Sequence, residues 1–144
     1  MNNRVARVTM FVTPTNPRFI DKAWTRGGDV YILDIEDSIA PAEKERCRSL
    51  IRESIAKASK GGASIYVRIN KPFVDADLPY AVWPGVDRIM LPKTESVAEV
   101  LYAHEIITRL AGGVAGIAES RIAFVRRARP SSRPPSNSCR SSPR

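Results

Sequence analysis

The sequence holds a single histidine and only two cysteines among its 144 residues. One histidine excludes a histidine-built metal site. Cys47 and Cys139 make no disulfide framework, so a reducing cytoplasm is the expected location. No apolar run is long enough to span a membrane, and the run in "MNNRVARVTMFVTP" is too short and too interrupted for a secretory signal. A Gly-rich phosphate loop is also missing, since Gly61-Gly62 and Gly112-Gly113 end helical patterns rather than open them. Trp24, Trp83 and the tyrosines form no stripe of the kind that stacks bases. Acidic residues are missing from the last 19 residues, "RRARPSSRPPSNSCRSSPR", of which six are Arg, six Ser and four Pro.

That last absence changes how the charge is read. The net charge of +8 suggests a polyanionic partner. Six of those charges lie in 126–144, which leaves +2 for residues 1–125. The body is close to neutral, and the basic signal belongs to the tail. Arg/Ser/Pro tracts are disordered in isolation and can bind RNA electrostatically. No aromatic residue follows Phe124 to add stacking, so nucleic acid is not the favoured partner.

What is present is an alternation of two periodicities. "VTMFVTP" (Val8 to Pro14) reads as a buried strand stopped by proline, and "PRFIDKAW" as a short helix with proline near its start. Gly27 and Gly28 mark a turn before a second buried strand, "DVYILDIED". Pro41 and Glu43 suit the first turn of a helix in which Cys47, Leu50, Ile51, Ile55 and Ala58 recur at helical spacing. "SIYVRIN" is a third strand, and a loop carrying Pro72, Pro79 and Pro84 leads to a fourth, "VDRIMLPK". Ser96 and Glu99 form a capping box ahead of the apolar positions Val97, Val100, Leu101 and Leu110. His104 shares that spacing and is expected to pack. "RIAFV" begins a fifth strand, whose strand-like pattern gives way to the Arg/Ser/Pro run after Val125. Strands apolar on both faces that alternate with helices predict an α/β fold with a parallel sheet. It is either doubly wound or part of a (β/α)8 barrel, which needs roughly 250 residues when complete.

In such folds ligands lie at the carboxyl ends of the strands. Asp34 and Glu36 are two residues apart, so they share a strand face and repel unless a cation, a metal or a shared proton separates them. Arg68 and Asn70 share a face at the end of the next strand, where Arg68 can grip a carboxylate with its planar fork. Lys93 ends the fourth strand, followed closely by Glu95. Taken singly, each has a plain structural reading: Asp34 to Asp37 cap a turn, and Arg68 is their counter-ion. Three successive strands ending in acids, Arg–Asn and Lys favour a convergent site for an anionic substrate. Cys47 reads as a small core residue.

The stretches "FVTPTNPRFIDKA", "VYILDIEDSIAPAEKERCR", "VRIN" and "IMLPKTES" occur in that order over residues 8–125. Together they resemble the citrate lyase beta subunit and its relatives in the HpcH/HpaI aldolase group, which includes malyl-CoA lyases. The resemblance implies the first five or so β/α units of a (β/α)8 TIM barrel, in a family whose members are usually homo-oligomers. It implies Mg²⁺-assisted cleavage or formation of a carbon–carbon bond next to a carboxylate, on small carboxylate or acyl-CoA substrates. Arg68 then binds the substrate carboxylate with Asn70 beside it, and Asp34, Glu36, Asp37 and Lys93 line the catalytic mouth. The family pattern places its direct metal ligands beyond Val125, where this chain reads "RRARPSSRPP", so no metal ligand is assigned.

The expected organisation is therefore a partial barrel over 1–125 and a disordered, out-of-frame tail over 126–144. The expected function is that of a truncated carbon–carbon lyase, inactive as this chain and touching no membrane. An RNA-binding protein that uses the tail, and a non-catalytic subunit of a split lyase, remain open beside it.

Overall fold

A computed structural model describes residues 5–112 and 121–126. Five strands form one sheet: β1 (Thr9–Val12), β2 (Val30–Asp34), β3 (Ser64–Arg68), β4 (Arg88–Thr94) and β5 (Arg121–Arg126). Every neighbouring pair is parallel, and the spatial order β1-β2-β3-β4-β5 is the order in sequence. A doubly wound sheet reverses direction part-way, whereas this one always steps the same way. Right-handed crossovers taken in one direction send every connecting helix to the same face, as in a barrel wall. Among the described residues the sheet is open and edged by β1 and β5.

The helices α1 (Pro17–Ile20), α2 (Lys44–Ala58), α3 (Val74–Ala81) and α4 (Val97–Ala111) supply the second layer. Alternate strand residues meet them in one core: Leu33, Ile65, Val67, Ile89 and Leu91 pack with Ile51, Ile55, Leu78 and Ile106. β2 runs between β1 and β3, and all five of its residues are buried. Asn16 caps α1, its Oδ1 accepting from the Arg18 N–H, and Pro17 follows at the first helical position. Pro41–Glu43 form a 3-10 turn that leads into α2, and Gly62, with φ +74°, closes the connection after it.

Several sequence expectations are corrected. The loop expected between β3 and β4 contains α3, with Pro79 inside the helix. Pro79 costs one helical hydrogen bond, but burial of Leu78 and Ala81 on the same turn offsets it. β1 is only partly buried: Val12 joins the core, but Phe11 is 56% exposed, because among the described residues β1 has a neighbour on one side only, β2. In α4 the inward stripe is Ala103, Ile106 and Ile107, while Val97 and Leu101 point outward. His104 lies on the exposed side and does not pack. The capping box is half formed. Ser96 Oγ accepts from the Glu99 N–H at 3.3 Å, whereas the Glu99 carboxylate accepts from the N–H of Glu95.

The fifth strand does not stop at Val125. Arg126 is paired with Thr94 of β4, across an irregularity in the register, and β5 ends there. Pairing with a neighbouring strand is a backbone property, so the change of side-chain composition after Val125 does not by itself end the strand. The rest of the tail assigned to 126–144, beyond Arg126, lies outside the described residues.

Candidate functional site

Adjacent strand ends place the charged residues. β2 and β3 are registered so that Asp34 pairs with Arg68, the last residue of each strand. The Arg68 guanidinium closes on Asp34 as a fork, Nε–H donating to Oδ1 at 2.7 Å and Nη2–H to Oδ2 at 2.6 Å. The Asp34 carboxylate also accepts from the N–H groups of Glu36 (2.9 Å) and Ser38 (3.2 Å). It is therefore saturated, and it shapes the turn that follows β2. Burial alone pushes the Asp34 carboxyl up, but the Arg68, Ser38 and Glu36 hydrogen bonds outweigh it and hold it below the ordinary carboxylate range. The hydrogen bonds to Asp34 raise the Arg68 guanidinium further, despite its partial burial.

The remaining guanidinium nitrogen faces the turn. Arg68 Nη1 is 3.2 Å from Glu36 Oε2 and 3.7 Å from Asp37 Oδ2. The first contact is an ion pair by distance but lacks hydrogen-bond alignment, so Glu36 Oε2 is buried with no hydrogen-bond partner. Lys93 closes the cluster from β4, its Nζ 2.9 Å from Glu36 Oε1 and 3.1 Å from Asp37 Oδ1. Hydrogen bonds to Glu36, then to Asp37, raise the Lys93 ammonium above its ordinary value. Lys93 has φ +51°, the one non-glycine residue in the left-handed region among the described residues, and it sits at the irregularity in the β4–β5 register between Leu91 and Thr94. Such irregularities re-aim side chains at strand ends. Here the Lys93 side chain reaches across β3 to the β2 turn.

Of the residues predicted from sequence, Asp34, Glu36, Asp37, Arg68 and Lys93 are brought together. Asn70 is adjacent but is held through its backbone, its N–H donating to Asp77 Oδ2 at 2.6 Å. Two residues that support the site were not foreseen. Asp77, fully buried in α3, joins the Asn70 N–H to Arg48 Nε (2.7 Å) and so ties α2 and α3 to the end of β3. Lys44, at the start of α2, donates to the carbonyls of Ile35 and Glu36 and fixes the turn from below. An acid two residues before a proline and a lysine just after an acidic turn give no periodic signal, because their partners are brought close only by folding.

The acids do not form a metal-ligand set. Both Asp34 oxygens are taken by Arg68 and backbone N–H groups, and Glu36 lies between Arg68 and Lys93. A divalent cation there would face two fixed positive charges. Among the described residues no group of three or more His, Cys, Asp or Glu side chains is arranged to hold a metal. The stretch beyond Val125, where the resemblance places the direct metal ligands, is described only as far as Arg126, which is a cation and no ligand. No helix among the described residues is long and apolar enough to cross a membrane.

With an acid, an arginine and a lysine converging at the carboxyl ends of consecutive parallel strands, the comparison with known proteins is specific. The sequence pattern of the HpcH/HpaI aldolase/citrate lyase family matches residues 7–126. The chain belongs to this family. The match reaches one residue past Val125, to the same Arg126 that ends β5. The citrate lyase subunit beta of Leuconostoc mesenteroides subsp. cremoris is 36% identical over 110 residues, covering 74% of this chain and 36% of that protein. The L-malyl-CoA/beta-methylmalyl-CoA lyase of Rhodobacter capsulatus is 31% identical over 113 residues, again covering 74% of this chain and 36% of the relative. This HpcH/HpaI-type chain thus spans about a third of the length of the curated lyases it matches. A magnesium/glyoxylate complex of the Haloferax volcanii malate synthase superposes with a TM-score of 0.65 at 16% identity, covering 86% of this chain and 43% of that enzyme. At that identity the likeness establishes the shared parallel α/β fold.

Proposed function

We propose that this chain carries the substrate-carboxylate site of an aldolase-type carbon–carbon lyase acting on a small carboxylate or an acyl-CoA thioester. The observation that supports this most is the Arg68–Lys93 pair. Asp34 fixes one edge of the Arg68 fork, which leaves Nη1 on the same side as Lys93 Nζ. Two cations set apart by the bite of one carboxylate suit a carboxylate ligand. In this reading Arg68 and Lys93 bind the ligand, Asp34 positions Arg68, and Asn70 offers a neutral amide at the neighbouring strand end. Glu36 and Asp37 balance the two cations.

Cleavage of a carbon–carbon bond next to a carboxylate also needs a sink for the electron pair that becomes an enolate, which the family draws from Mg²⁺. The strand-end carboxylates of this chain are committed to cations, so no step is routed through a metal here. We expect the 144-residue chain to bind and orient a carboxylate without cleaving it.

Calorimetric titration with malonate tests the reading. Binding by the wild type is expected, with loss of at least tenfold in affinity in Lys93→Met and in Arg68→Lys, each of which disrupts one arm of the pair. Absence of malonate binding by the wild type up to tens of millimolar refutes it. Mg²⁺-dependent cleavage of malyl-CoA by the purified chain refutes the expectation of no turnover.

A further inference from the structure

Arg68 and Lys93 are spanned twice. Glu36 bridges them, with Oε1 2.9 Å from Lys93 Nζ and Oε2 3.2 Å from Arg68 Nη1. Asp37 bridges the same two atoms, with Oδ1 at 3.1 Å and Oδ2 at 3.7 Å. The two bridges differ in every other respect. The Glu36 side chain is 5% exposed, and its main chain is held on both sides, the N–H by Asp34 and the carbonyl by Lys44. The Asp37 side chain is 59% exposed, its contacts are longer, and among the described residues the two cations are the partners recorded for its carboxylate. One bridge is built in, and the other is exchangeable.

We infer that Asp37 is an internal occupant of the carboxylate position and sets which ligands the site accepts. This rests on the carboxylate-binding reading above. Three acids, Asp34, Glu36 and Asp37, already face two cations, Arg68 and Lys93. A ligand carboxylate that entered beside Asp37 would set a fourth acid against the same two cations, so entry requires Asp37 to swing into water. Binding is an exchange in which one carboxylate bridge breaks and a similar one forms. The tethered Asp37 competes at an effective concentration on the order of millimolar or higher. A monocarboxylate therefore gains almost nothing, because it restores only what it displaced. A ligand with a second carboxylate adds a further contact. Lys71, whose Nζ donates to the Lys93 carbonyl at 3.1 Å, is a further cation at the same strand end; Glu99 at 2.8 Å and the more exposed Glu95 at 3.5 Å already pair with it, so the second carboxylate competes with the long Glu95 pair. Asp37 thus works as a specificity filter against simple monocarboxylates.

The test compares acetate with malonate on wild type, Asp37→Asn and Asp37→Ser, by calorimetry or amide chemical-shift titration. Asp37 is exposed, and circular dichroism checks that both variants fold like the wild type. Both variants are expected to bind acetate about threefold to tenfold more tightly than wild type, the range set by loss of two partly exposed ion pairs. Malonate affinity changes less, so the preference for malonate over acetate shrinks. If malonate binds the wild type but acetate affinity is the same in all three proteins, the inference is overturned and the carboxylate-binding reading stands. If malonate does not bind the wild type, the reading falls and the inference with it.

Discussion

Replacing Arg68 by alanine removes more than a ligand-binding group. Asp34 is 1% exposed and loses two charge-assisted hydrogen bonds of 2.7 and 2.6 Å. Glu36, also buried, loses the cation 3.2 Å from its Oε2. The guanidinium additionally stacks over Phe11, 4.7 Å from the ring centroid. Removing one partner of a buried ion pair costs about 3–5 kcal/mol, because the other charge stays buried without compensation. The lost ring contact adds about 0.5–1 kcal/mol at a partly exposed site. Against a typical domain stability of about 5–15 kcal/mol, a loss of ~4 kcal/mol brings the chain close to unfolding. Arg68→Lys keeps the charge but not the fork and should cost about 1–2 kcal/mol.

The pH dependence separates this account from simple loss of packing. In the wild type the Asp34 pKa is lowered, so its contribution is present above the unfolded carboxylate value and is lost as pH falls through the lower folded value. Without Arg68, burial is the largest influence left on Asp34, opposed by the Ser38 and Glu36 hydrogen bonds, so the pKa moves up from its wild-type position. The variant carboxylate is protonated at higher pH than the wild-type one, and as pH falls from 7 towards about 3 the variant loses less stability than the wild type. The gap between the two proteins should narrow over that range in urea unfolding followed by circular dichroism. A cost below about 1 kcal/mol, or a gap that stays constant with pH, refutes the reasoning.

Further predictions test the supports around the site. Asp77→Ala leaves Arg48 and the Asn70 N–H without their shared carboxylate, and should cost about 3 kcal/mol in urea unfolding and displace the Asn70 amide resonance. Gly85 has φ +92°, and an added Cβ would meet Ile55 Cγ2 at 3.2 Å, so Gly85→Ala should lower stability by about 1–2 kcal/mol. Burial pushes the Cys47 thiol up to about 12, with the Asp34 charge adding to the shift. In a Cys139→Ser background, Cys47 should resist iodoacetamide at pH 8 until urea unfolds the chain, and rapid labelling of the native protein would contradict its burial.

Much of this was written locally. The alternation of β-branched runs with helical spacing, punctuated by Gly27, Pro41 and Gly62, marks the order of strands and helices, because each signal depends on neighbours within a few residues. In a parallel sheet the carboxyl ends of the strands gather at one edge, so Asp34, Arg68 and Lys93 could be picked out as convergent before their partners were known. The motifs around them identified the family for the same reason.

What tertiary structure decided are the properties that depend on which neighbour is absent or present. The direction of winding, settled by the sequential strand order, cannot be read from strands that look alike in sequence. Phe11 is exposed because β1 lies at an edge, and β5 passes Val125 because Thr94 of β4 pairs with Arg126. Helix α4 turns Ala103 and Ile106 inward rather than Val97 because that face meets the sheet. Helix α3 forms around Pro79 because buried Leu78 and Asp77 anchor it. The division of labour between Glu36 and Asp37 is of the same kind. They are two consecutive acids on the same two cations, and only burial makes one a fixture and leaves the other free to exchange.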